Sequence, residues 1–254
     1  MKSLLWLALG GTLCAAAFAT TPERMALREL SARAASGDAG ALRRLAYIHE
    51  TGFDSISPDA AEATRLYGEA ARLGDAQGAS LYGFRLITGE GVVPDTTQGV
   101  KWIYLAAMQG DPRAANNMGW LLTSGTGMPV DSVKAAEWYY DAASAGLPAG
   151  AYNLVGLVES GAVEAPSDSL MAPVYALLGG AYSRGQGVPY SFPRSVEYFL
   201  HAAVAGDVAS RRVIAEMLQQ MPDALDALPL DSLLRAWPGA PTPDMARDPF
   251  FWEE

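Results

Sequence analysis

The chain has 254 residues, half of them hydrophobic, with 18 basic against 28 acidic side chains and a formal net charge of −10. That is enough apolar material for one sizeable domain or one elongated array. The acidic balance argues against a nucleic-acid or anionic-lipid binding class, and a lone cysteine, Cys14, leaves no disulfide framework to build on.

The chain opens with MKSLLWLALGGTLCAAAFAT. Lys2 supplies a positive start, Leu4 to Leu9 form a short apolar run, and Ala17-Phe18-Ala19 is an A-x-A cleavage pattern, so residues 1–19 are expected to be a signal peptide cleaved after Ala19. A membrane anchor is the alternative, but the run is short and is broken by Gly10 and Gly11. Leu13 before Cys14 argues against a lipoprotein signal. The expected mature chain has no cysteine and a net charge of 17 − 28 = −11. It holds no other apolar run long enough to span a bilayer, so the expected location is the periplasm or the exterior.

Residues 20–38 are expected to form a capping helix: Thr21-Pro22-Glu23 is a helix start, and ARAASGD from Ala32 reads as a second helix without a first. Beyond it, four stretches resemble one another: LYGEAARLGD from Leu66, WIYLAAMQGD from Trp102, WYYDAASAGL from Trp138 and YFLHAAVAGD from Tyr198. Each has bulky residues, then Ala-Ala, two variable residues and glycine, and the glycines Gly74, Gly110, Gly146 and Gly206 are spaced by 36, 36 and 60. Between them recur GEGVVPD from Gly89, GTGMPVD from Gly125 and GQGVPYS from Gly185, with Gly52 and Gly161 in the equivalent places of weaker copies. A fixed period near 36 marks a repeat array.

One unit, 114–149, shows the physics. Ala114, Met118, Leu121 and Leu122 share one helical face, Gly125 is a C-cap, Pro129 blocks continuation, and Asp131 is an N-cap for the next helix. Ala135, Trp138, Tyr139, Ala142 and Ala143 make the buried side of that helix. The aromatics fill space between helices, while Ala142-Ala143 and Gly119 permit close approach. One helix pair cannot bury its own apolar face, but stacked pairs can. Gly185 follows Gly161 by 24 rather than 36, so a second helix is expected to be lost or shortened, leaving an irregular joint near 161–173. The array is therefore expected over 39–222, with a shortened unit near 150–173. Residues 208–221 read as a lone first helix, stopped by Pro222, and 223–254 hold a short helix near 231–236 and a proline-rich tail. PFFWEE, with Phe250, Phe251 and Trp252, either folds back onto the last helix or docks another protein.

Enzyme signatures are sparse. His49-Glu50 begins like a zinc-protease motif, but Phe53 stands where the second ligand belongs. His201 falls on a position that varies freely between copies and is expected on a solvated face. The G-x-G turns lie between helices and lack a following G-K-[ST], so they read as caps rather than phosphate loops. No catalytic residue, metal site or cofactor is expected.

The pattern A-x3-L-G-x2-Y-x2-G-x-G-V, followed by a helix ending W-Y-x2-A-A-x2-G, resembles the Sel-one-like repeat (SLR) family over residues 40–209. Leu178, Gly179, Tyr182, Gly185, Gly187 and Val188 keep it in the last unit, while Leu86, Leu122 and His49 replace its tyrosine. The resemblance implies an all-α, right-handed α-solenoid of stacked antiparallel helix pairs, related in shape to tetratricopeptide repeats, with first helices lining a concave surface. It also implies an adaptor role in envelope assembly, secretion or signalling. A disulfide-rich branch of the family linked to β-lactam binding or hydrolysis resembles this chain poorly, because the paired cysteines are missing.

By the i, i+4, i+7 rule, successive first helices present Arg43-Tyr47-Glu50, Ser80-Phe84-Ile87, Asn116-Trp120-Thr123 and Tyr152-Gly156-Glu159. The candidate partner-binding residues are therefore Arg43, Tyr47, Ser80, Phe84, Asn116, Trp120 and Tyr152. They would suit a segment of another envelope protein or, alternatively, a glycan such as peptidoglycan or an exported polysaccharide. The same rings could instead serve packing between repeats.

Overall fold

Aspartate before and glycine after is the local rule that turns this chain into helices. In the computed structural model, which describes residues 22–53, 56–220 and 245, eleven α-helices appear among the described residues. They are α1 (Pro22–Ala35), α2 (Ala39–Thr51), α3 (Ala60–Arg72), α4 (Ala76–Thr88), α5 (Thr96–Met108), α6 (Pro112–Ser124), α7 (Ser132–Ser144), α8 (Pro148–Glu159), α9 (Asp168–Arg184), α10 (Phe192–Val204) and α11 (Val208–Gln220). The expected signal peptide, the short helix near 231–236 and the tail with Phe250, Phe251 and Trp252 lie outside the described residues.

Asp38, Asp59, Asp75, Asp111 and Asp131 each accept a backbone N–H from the first turn of the helix they precede. Each such cap contributes about 1 kcal/mol. Gly89, Gly125 and Gly185 end α4, α6 and α9 in the left-handed conformation, where glycine alone carries no Cβ penalty.

The chain divides into two units, Met1–Ala106 and Ala107–Glu254. In the first, α2 pairs with α3, and α4 follows against both. Ala41, Leu42, Ala46, Leu66, Tyr67 and Ala70 form its core. The α4–α5 crossing is a glycine contact: a Cβ on Gly83 would lie 2.7 Å from the carbonyl oxygen of Gly99, and one on Gly99 would lie 2.6 Å from that of Gly83.

In the second unit, α6 pairs with α7, α9 with α10, and α11 closes on α10. Leu121, Leu154 and Leu178 have no exposed surface, and each such burial contributes about 2 kcal/mol. At Gly119 a Cβ would meet the Tyr139 ring at 2.5 Å, so the glycine inside α6 is the seat of that aromatic. Every residue of the four Ala-Ala pairs is buried, and Gly150 comes so near Ala142 that a Cβ there would lie 2.6 Å from the alanine's own.

No second helix follows α8. The chain passes through loop 160–167 and enters α9, which runs 17 residues against the usual 13 and continues through Pro173. The irregular joint is therefore narrower than the expected 161–173, since 168–173 is helical and Met171 and Ala172 are buried. The reason is packing: Met171 and Val174 join Leu154 and Val155 in one core, supplying part of the apolar surface that the missing helix would have brought.

Candidate functional site

The first unit presents Tyr47 and Phe84 to solvent at 60% and 39% exposure. The two polar residues expected beside them are committed elsewhere. Ser80 is 3% exposed and belongs to the interior, so it is withdrawn from the contact surface. Arg43 donates from Nε to both oxygens of Asp75, at 3.0 and 3.2 Å. Because Asp75 also caps α4, Arg43 ties α2 to the start of α4 rather than standing free for a partner.

Deeper in this unit lies a charged cluster. Arg85 is 3% exposed, yet its guanidinium sits 2.7 Å from Glu50, 3.4 Å from Glu90 and 5.4 Å above the centroid of the Tyr67 ring. Tyr67 donates its hydroxyl to Glu50 at 2.7 Å. Burial pushes the Tyr67 phenol well above its ordinary pKa, and the neighbouring Glu50 adds to this. A buried cation is tolerated only when paired and hydrogen-bonded, and this one is. The Glu50 of the His49-Glu50 pair is thereby a structural acceptor.

The second unit is built differently. Tyr139, Tyr152, Tyr182 and Tyr198 surround a cavity of about 320 Å³, with Asn153, Glu159 and Arg194 among its other walls. A neighbouring cavity of about 460 Å³ shares Tyr152, Asn153, Tyr182 and Arg194 with it, so the two form one groove. Gly156 is what opens the groove. It stands one period after Trp120 and two after Phe84, and a Cβ on it would meet nothing within 4 Å. Tyr152 lies on the same helix at 52% exposure. Asn153 donates an amide hydrogen to the Asn116 side chain at 2.8 Å, joining α8 to α6. Trp120 is 41% exposed on α6.

The tyrosine wall is a stack of rings. Tyr182 and Tyr198 stack with centroids 5.6 Å apart and planes at 11°, and Tyr175 stacks behind Tyr198 at 6.3 Å. Burial raises the phenol pKa of Tyr139, Tyr175, Tyr182 and Tyr198. All four stay protonated at physiological pH and act as neutral hydrogen-bonding groups. Arg194 lies 3.2 Å from Glu197, whose charge holds its guanidinium pKa up. Faces for stacking, neutral hydroxyls, an amide pair and one cation are the chemistry of recognition.

His201 is a correction. It is not on a solvated face: its ring lies 5.0 Å from that of Tyr175 and 6.0 Å from that of Tyr198. Burial lowers its pKa to about 3.

Of the candidate residues, Asn116 and Tyr152 stand at or beside the groove, Trp120 is exposed on α6, and Tyr47 and Phe84 are exposed in the first unit. The sequence reading missed Tyr139, Tyr182, Tyr198 and Arg194, which come from three other helices. Its available signal was the glycine at 156, where the preceding units carry Tyr47, Phe84 and Trp120.

A family model described as Sel1 repeat matches residues 39–75, 76–111, 112–147 and 172–207. The unmatched stretch 148–171 carries α8, its loop and the start of α9. Among solved structures, the chain is similar to a protective antigen present in uropathogenic Escherichia coli strains that displays an SLR fold. Identity is 28% over 76% of this chain, with a TM-score of 0.53. This chain spans 44% of the antigen's length. It is also similar to a Sel1 repeat protein from Oxalobacter formigenes, with 25% identity over 92% of both chains and a TM-score of 0.50. No curated protein matches it.

Proposed function

The chain belongs to the Sel1 repeat family, and from that premise we propose that it is a non-enzymatic periplasmic scaffold that captures a segment of another envelope protein in the tyrosine groove of its second unit. Sel1 repeat proteins generally mediate protein–protein interaction and are generally non-catalytic. No described helix is long and apolar enough to cross a membrane. The signal-peptide pattern at 1–19 motivates the compartment, and the assignment to envelope assembly, secretion or signalling rests on that compartment.

The observation that carries the site is the groove itself: four tyrosines, an Asn116–Asn153 amide pair and Arg194, opened by Gly156. Tyrosine presents large area at low entropic cost, and asparagine matches the donors and acceptors of a peptide backbone. Affinity capture from an envelope extract, with residues 20–254 as bait, tests it. Gly156→Phe places there the aromatic that the preceding units carry, at a position where a Cβ meets nothing within 4 Å, and Tyr152→Ala removes an exposed wall. One protein lost with both variants is the expected result; equal recovery with all three baits overturns the site.

A glycan is the second reading, favoured by the exposed ring of Tyr152 beside Asn153, since an aromatic face with an adjacent amide suits a sugar ring. Sedimentation of the protein with insoluble peptidoglycan, unaffected by added envelope protein, would select it.

A further inference from the structure

Each first helix of a regular repeat is covered by the second helix of its own repeat: α2 by α3, α6 by α7, α9 by α10. α8 is followed by loop 160–167 instead. Between α7, α8 and this loop lies a groove of about 590 Å³. One side is α7, through Val133, Ala136, Glu137, Tyr140 and Asp141. These follow i, i+3, i+4, i+7, i+8 and so form a single face, opposite the core face of Ala135, Tyr139 and Ala142. Leu154 of α8 is the floor, and Val163, Pro166 and Leu170 close the other side. Leu170 and Val133 are 46% and 64% exposed. The extended start of α9 fills the inner core through Met171 and leaves this outer place open.

The groove is apolar within and acidic at its edge. Glu137, Asp141 and Glu164 are exposed around it, and the nearby cation Lys134 is held by Asp131 at 3.0 Å. The other second helices have 13 residues, about 20 Å. We infer that this groove receives, from another polypeptide, a basic amphipathic helix of about that length, docked beside the interrupted repeat. Its apolar stripe packs on Val133, Tyr140 and Leu170, and its Lys or Arg residues face Glu137, Asp141 and Glu164. Charge separates this occupant from the alternatives. A second copy carries a net charge of −10, and the chain's own residues 223–254 hold seven acidic against two basic side chains. Neither complements an acidic edge. The site is independent of the tyrosine groove, which has none of these lining residues.

The test uses a labelled peptide of about 14 residues, long enough for a full groove, with leucine at i, i+3, i+4 and i+7 and lysine flanks. Anisotropy reads its binding to the 20–254 protein and circular dichroism reads its helicity. Binding with helix gain is expected, and it should weaken about tenfold with Leu170→Asp and with Glu137→Lys/Asp141→Lys, since each removes a buried contact or its charge partners. Leu170 is half exposed, so thermal melting should show both variants folded. Gly156→Phe should leave the affinity unchanged, which separates this site from the tyrosine groove. Equal affinity for a scrambled peptide of the same composition, indifference to both variants, or no binding overturns the proposal. Concentration-dependent dimerisation abolished by Leu170→Asp would assign the groove to a second copy. Tighter peptide binding after Phe250→Ser/Phe251→Ser/Trp252→Ser would assign it to the chain's own tail. Either result also overturns it.

Discussion

Tyr67 in the first unit and Tyr139 in the second occupy the same repeat position, two periods apart, and their surroundings differ completely. The Tyr67 hydroxyl donates to Glu50 at 2.7 Å, with the Arg85 guanidinium over its ring. Two periods on, Leu157 stands where Arg85 would be, Tyr139 has only Thr123 at 3.5 Å, and the space beside it is a cavity of about 320 Å³. The same backbone plan is thus closed by a charged plug in one place and left open by a leucine and a glycine in the other. A repeat can carry a site wherever its filler residues are withheld, without any change in the helices that frame it.

The largest effect expected of breaking this contrast is at the plug. Arg85→Ala should cost about 3 kcal/mol, because Glu50 loses its ion-pair partner and the Tyr67 ring loses the guanidinium above it. Urea denaturation of the 20–254 protein measures it, and a loss near zero would show the cluster to be incidental. Next, Gly119→Ala should cost about 2 kcal/mol by driving a Cβ into the Tyr139 ring. Thermal melting read by circular dichroism checks that sign and size.

The third test concerns acid. His201 has an ordinary pKa of 6.5 that burial lowers to about 3 in the folded chain, so the unfolded state binds the extra proton first. The stability tied to its neutral form is complete above pH 6.5, falls as pH drops through the window below it, and is lost by about pH 3. Carboxylates titrate mainly below about pH 4.5, so a wild-type decline between there and pH 6.5 that disappears in His201→Phe isolates the histidine. Parallel curves would place His201 in water. The smallest effect is expected at Gly156→Ala, which should stabilise by up to about 1 kcal/mol through helix propensity alone. Opposite signs at Gly119 and Gly156 would confirm that one helical glycine is a seat for a ring and the other an opening.

What the sequence determined by itself was the plan: the period near 36, the glycine stops, the aspartate caps, the buried Ala-Ala pairs and the absence of a second helix after α8. These are readable because caps and helix faces are local, set by residues within a turn or two of one another. Only the tertiary structure decided what the exposed and polar residues do. Ser80 is buried, Arg43 is bound to Asp75 at the start of the next helix pair, and His201 is half-buried against Tyr175 and Tyr198. Tyr139, Tyr152, Tyr182 and Tyr198 become one wall although they are spread over four helices. Those outcomes depend on which helix lies against which, and on which space is left unfilled, and no single repeat encodes either.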